Sequence, residues 1–191
     1  MTIEPRVHQA FVDAAAALAS SGIDHALVGA LARAVWARPR ASTDVDFAVA
    51  YDPERLPLLY EALTRARFER TMELRAASEK DELPELSVWR SPSGVRVDFL
   101  VTHTPFEQEA LSRRVSAIVG PVHTFVVSPE DLIVYKLLAG RPKDWDDMAD
   151  VVATRAAAGQ QLDWAYIQRW AEAWGVEERL ERLRAEAVTD R

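Results

Sequence analysis

The sequence predicts an α+β protein: a small mixed sheet flanked by helices, with a helical C-terminal lobe. Three observations point there. Short apolar runs such as His25–Val28, Val45–Ala50 and Val95–Val101 have strand length and alternate with longer amphipathic stretches. Ser91-Pro92-Ser93-Gly94 and Gly120-Pro121 are turn signals, each set between two apolar runs, as hairpins require. From Ser128 onward the pattern is helical throughout.

The elements follow in order. Pro5 to Ser21 reads as an alanine-rich amphipathic helix that ends at Gly22. His25–Val28 is a short buried strand, and a helix over Ala30–Ala37 stops before Pro39. Val45–Ala50 is the next strand. Pro53 then opens a helix to about Ala66, with Pro57 a blemish in its early part. Strands follow at Phe68–Glu73 and Leu86–Arg90, the second pairing with Val95–Val101 as a hairpin. The polar stretch Ala76–Glu85 has no apolar period and reads as an exposed loop. After a helix at Pro105–Arg113, Val115–Val119 and Val122–Val127 are strands across Gly120-Pro121.

Ser128-Pro129-Glu130-Asp131 is a helix-opening signal, with a capping hydroxyl, a proline at the first position and acids in the first turn. That helix ends at Gly140, and Pro142 starts another that runs through about Ala158. Helices near Asp163–Trp174 and Val176–Glu186 complete the chain. The expected division is a core at residues 1–127 and a helical lobe at 128–191 packed on it. Trp164, Trp170 and Trp174, with Tyr166 and Ile167, read as the lobe's core.

Composition narrows the function classes. No apolar run approaches the roughly 20 residues that span a bilayer, and the start of the chain lacks the basic and apolar segments of a secretory signal. Cysteine is absent, so thiolate metal sites and disulfides are excluded. A cytoplasmic protein with no membrane partner is the expectation. A net charge of −7 argues against binding nucleic acid by blanket phosphate neutralisation, though it permits a local basic lip at Arg33, Arg38 and Arg40.

The chemistry concentrates on one strand. Asp44 and Asp46 are two apart, so a strand aims both carboxylates from one face. Asp98 supplies a third acid on another strand, in Val95-Arg96-Val97-Asp98-Phe99. Such oxygen donors suit Mg²⁺, and two ions about 3.5–4 Å apart would suit phosphoryl chemistry. Gly29 and Ala30 stand at a strand-to-helix turn, where free N–H groups and the helix dipole favour a triphosphate. Gly29 alone reads as well as a tight turn; the acids tip the balance. Arg40, beside the acidic pair, suits phosphate, and Thr43 a turn or a phosphate contact.

Val28-Gly29-Ala30-Leu31-Ala32 followed by Pro39-Arg40-Ala41-Ser42-Thr43-Asp44-Val45-Asp46 resembles the signature of the DNA polymerase β-type nucleotidyltransferase superfamily. Arg40-x-x-Thr43-Asp44 is similar to its prokaryotic branch related to AbiEii-type toxin–antitoxin proteins. So is Asp131-Leu132-Ile133-Val134-Tyr135-Lys136-Leu137-Leu138-Ala139-Gly140-Arg141-Pro142-Lys143-Asp144, with Asp147 after it. The resemblance covers roughly residues 24–150 and implies a nucleotidyltransferase-type sheet. It implies that Asp44, Asp46 and Asp98 are the catalytic, metal-binding acids. Gly29, Ala30, Arg40, Thr43, Lys136 and Asp144 would then serve the nucleotide. Where the family has glycine or serine, this chain has Ala30, which keeps the backbone donor but offers no hydroxyl.

Lys136 reads equally as a cation complementing the end of its helix, and Asp144 as a helix-start acid. The expected reaction is Mg²⁺-dependent transfer of NMP from an NTP to a hydroxyl acceptor, an RNA such as tRNA or a protein, with release of pyrophosphate. The alternative is a weak or inactive NTP-binding member acting as an antitoxin or partner-binding module. A cognate toxin or antitoxin is the expected partner. A weaker third reading is an antibiotic-modifying transferase.

Overall fold

The computed structural model describes residues 4–39, 41–74 and 85–189. Arg40 and, apart from Glu85, the stretch read as a loop at Ala76–Glu85 lie outside the described residues. The chain forms two compact units, Met1–Leu31 with Arg40–Val127 and Ala32–Pro39 with Ser128–Arg191. The class is α+β, as the sequence predicts.

In the first unit, α1 (Pro5–Ser21) leads to β1 (His25–Val28), and α2 (Gly29–Trp36) begins directly after it, belonging to the second unit from Ala32 onward. Then come β2 (Asp44–Val49), α3 (Arg55–Arg65), β3 (Glu69–Leu74), β4 (Leu86–Arg90), β5 (Arg96–Val101), α4 (Pro105–Ser112), β6 (Val115–Val119) and β7 (Val122–Val126). The strands make one mixed sheet in the order β3-β4-β5-β2-β1-β7-β6. β2 runs antiparallel to β1 and parallel to β5.

Helix α3 starts two residues later than Pro53 suggests. The Asp52 carboxylate accepts the backbone N–H groups of Glu54 (3.0 Å) and Arg55 (2.9 Å), which sets the first turn. Pro57 then falls in that first turn, where a missing N–H costs no helical bond.

The sheet's two faces are sorted by the period of two. Phe47 and Phe99 point away from the acids and stack on each other (5.8 Å between ring centres). Phe11 of α1 stacks on Phe47 in turn (6.1 Å), and all three rings are fully buried. Aromatic pairs of this kind contribute about 0.5–1.5 kcal/mol each beyond their buried area. The core therefore anchors β2 and β5 through the residues next to Asp46 and Asp98.

The second unit contains α5 (Pro129–Ala139), α6 (Pro142–Ala157), α7 (Trp164–Ala173) and α8 (Glu177–Thr189). Helix α5 is buried on nearly every side, with Leu132, Ile133, Val134 and Leu137 in the core. Its start is capped by Ser128, whose Oγ accepts the Asp131 N–H (3.1 Å). Its end turns at Gly140 (φ +60°), and Arg179 of α8 donates to the last carbonyls, Leu137 (2.6 Å) and Leu138 (3.2 Å).

The lobe's aromatic residues divide differently from the sequence expectation. Tyr166 and Ile167 are core, but Trp164 and Trp170 are half-buried and Trp174 is exposed. Arginines cover the first two of these rings. The Arg184 guanidinium lies 5.3 Å from the Trp164 ring centre and that of Arg169 4.8 Å from Trp170. Indole rings are large and seldom fully buried, and a guanidinium shields such a ring while keeping its charge in water.

Candidate active site

Strand register assembles the acids. On the parallel pair β2–β5, Asp46 is directly opposite Asp98 and Asp44 directly opposite Arg96. Both acids of β2 and both charged residues of β5 share one face by the strand period. Val28, the last residue of β1, is opposite Asp46, so the turn into α2 starts beside the same carboxylate.

Gly29 occupies that turn with φ +65°, a left-handed conformation that favours glycine. A Cβ on Gly29 would collide with the Asp46 carboxylate. Glycine is thus required twice, by the backbone and by the acid packed against it. Ala30 follows in the first turn of α2, half-buried. Thr43 is exposed just before β2, and its neighbour Ser42 donates from Oγ to Asp44 Oδ1 (3.0 Å) and to the Asp44 carbonyl (3.0 Å). Ser42 thereby fixes how the first acid leaves the strand.

Asp98 has a partner that the sequence reading left out. Arg96 grips it with two parallel bonds, Nε to Oδ1 (2.7 Å) and Nη2 to Oδ2 (2.7 Å). The signal was available, because Arg96 lies two residues before Asp98 on one strand and so on one face. Among the described residues, no group of three or more His, Cys, Asp or Glu side chains gathers closely enough to hold a metal ion. The donor chemistry nonetheless fits a hard divalent cation: Asp44 and Asp46 offer carboxylate oxygens from one face, with Asp98 in register beside them.

Lys136 and Asp144 belong to the second unit and meet each other there. Lys136 Nζ donates to Asp147 Oδ2 (2.6 Å) and to Asp144 Oδ1 (3.3 Å), with all three side chains buried. Asp144 also accepts from the Arg141 backbone N–H (3.1 Å) and Nε (2.8 Å), so it is a helix-start acid as well as a lysine partner. Burial pushes the Asp144 carboxyl up, but the Arg141 hydrogen bond and the charges of Lys136 and Arg141 outweigh this and hold it below the usual carboxylate value.

Arg33 extends the cluster from α2. Its Nε lies 2.8 Å from Asp147 Oδ1, an ion pair without hydrogen-bond alignment, and its Nη2 donates to Asp150 Oδ2 (2.5 Å). Arg38, largely exposed, donates to Asp150 Oδ1 (2.8 Å). Arg33 is therefore a buried ionic residue and not a solvated lip. Asp144, Asp147 and Asp150 recur every three residues along α6, a spacing that marks one helix face.

Residues 11–189 match the family profile described as "Nucleotidyl transferase AbiEii toxin, Type IV TA system". No curated protein matches. Among solved structures, the chain is similar to a crystal structure of ANT(2")-Ia in complex with adenylyl-2"-tobramycin. Identity is 12% and the TM-score 0.61, covering 89% of this chain and 97% of that one. The solution structure of ANT(2")-Ia gives 13% identity and a TM-score of 0.60, over 93% and 95% of the two chains. A putative nucleotidyltransferase from Thermotoga maritima gives 13% and 0.54, over 76% and 91%. At these identities the likeness shows a shared fold. No helix among the described residues is long and apolar enough to cross a membrane.

Proposed function

The chain belongs to the nucleotidyl transferase AbiEii toxin family, and on that premise we propose that it moves an NMP from an NTP to a hydroxyl acceptor and releases pyrophosphate. The observation that carries this reading is the register that sets Asp46 against Asp98, with Asp44 on the same face and Gly29 packed on Asp46.

Asp44, Asp46 and Asp98 would hold Mg²⁺, which supplies neutralisation of the phosphates and a more acidic attacking hydroxyl. The N–H groups of Gly29 and Ala30, at the start of α2, donate to the triphosphate and orient it. Asp98 accepts the proton of the acceptor hydroxyl as its oxygen bonds to the α-phosphorus. The bond from that phosphorus to the bridging oxygen breaks, and pyrophosphate carries the electron pair away. Arg40 and Thr43, flanking the pair, are assigned to the phosphates. The acceptor is an RNA or a protein, and the Type IV TA description of the family supports a cognate antitoxin as partner.

The test is transfer of label from α-³²P NTPs to RNA and protein acceptors, with Asp46→Ala as control. Label in the wild type and at least a hundredfold less in the variant is expected, since the variant loses charge stabilisation at the reacting phosphate. Equal labelling by the two proteins sinks the proposal. A second reading, NTP binding without transfer, is favoured by the Arg96 grip on both Asp98 oxygens. Saturable NTP binding with no label transferred to any acceptor would select it.

A further inference from the structure

We propose that Arg96 is the built-in counter-cation of the carboxylate site, pairing with Asp98 at rest and yielding it when a divalent metal binds. The inference rests on the metal-dependent reading above. Three observations carry it.

First, Arg96 is placed by register among the acids, opposite Asp44 and two residues from Asp98 on the same face. Second, it takes both oxygens of Asp98 at 2.7 Å each, so a metal approaching Asp98 competes with the guanidinium for the same carboxylate charge. Third, the Arg96 side chain is 52% exposed while that of Asp98 is 13% exposed. The guanidinium can therefore swing into water, but the carboxylate cannot follow it.

The physical need is plain. Carboxylates on one face of neighbouring strands repel, and a cation among them offsets that repulsion. The planar fork of arginine matches a carboxylate at two points, which a single ammonium cannot do. Once released, the guanidinium can find in the phosphates of a bound nucleotide the kind of partner it has left. Arg96 is thus a positioning residue that makes the site prefer a metal arriving with phosphates over the metal alone.

Mn²⁺ binding to the full chain, read by the loss of the free-ion electron paramagnetic resonance signal without nucleotide, tests this. Arg96→Gln is expected to bind Mn²⁺ about tenfold more tightly than the wild type, the lower end of what one adjacent charge does to a carboxylate site. Arg96→Lys, which keeps the charge but loses the fork, should fall between them. The gain should vanish when Asp98→Asn is added to Arg96→Gln. Equal or weaker Mn²⁺ binding by Arg96→Gln, with an unchanged circular dichroism spectrum, overturns the inference. If that equal binding is still abolished by Asp46→Asn, the metal reading survives and only the role of Arg96 falls. No binding by any of these proteins overturns both.

Discussion

Asp144 has no exposed surface, yet it stays ionised because the Arg141 and Lys136 cations face it. Its carboxyl is lowered relative to the unfolded chain, so the stability it contributes is fully present above the ordinary carboxylate value, near 4. That contribution is lost as pH falls through the lower folded value. Asp144→Asn is expected to cost about 1.5–3 kcal/mol at neutral pH, because Lys136, which keeps Asp147, and the largely exposed Arg141 each lose a charge-assisted hydrogen bond. In urea unfolding, the gap between wild type and variant should narrow steadily below about pH 4. A gap that stayed constant down to pH 2 would contradict the assignment. Sequence reading left Lys136 and Asp144 each with a functional and a helix-end role, and Asp144 turns out to occupy its helix-end role and a buried pair together. The third partner, Arg33, was illegible, since it lies more than a hundred residues from Asp147 and Asp150 and helical period on α2 says nothing of what α6 presents to it.

At the level of elements, β2 shows how one alternation does two tasks. Val45, Phe47 and Val49 are buried while Asp44 and Asp46 keep partial access to solvent. Phe47→Ala removes the middle ring of the Phe11–Phe47–Phe99 stack and should destabilise the protein by about 3–5 kcal/mol in chemical denaturation. Asp46→Ala, one residue away on the other face, should cost far less stability while abolishing transfer. If the two variants were equally destabilised, the separation of core face from acid face would be wrong. Nearly every element boundary was readable, because prolines, glycines and capping hydroxyls act within a turn of where they stand. The start of α3 differs for a local reason too: Asp52 Oδ1 accepts the Glu54 and Arg55 N–H groups, making a turn ahead of the helix.

For the molecule as a whole, a seven-stranded open sheet leaves two edges, β3 and β6. Both carry apolar side chains into solvent: Met72 and Leu74 on β3, and Ile118, 74% exposed, on β6. Exposed apolar edges template pairing with other chains. Ile118→Lys should leave unfolding within about 0.5 kcal/mol of the wild type, since no core contact is lost. It should also lower light scattering at high protein concentration. Unchanged scattering would show that β6 is not the surface through which copies associate.

The division between chain and fold is physical. Period-two and helical patterns, turn residues and caps are short-range, so the class, the element order, and Gly29, Asp44, Asp46 and Asp98 as candidate site residues could be read in line. The strand order, with β1 between β2 and β7, arises from long-range pairing that no local pattern encodes. That pairing set Asp46 opposite Asp98 and put Arg96 opposite Asp44, while helix packing within the second unit drew Arg33, Lys136 and three acids of α6 into one buried network. Charges find their partners across space, and burial decides which of those partnerships hold.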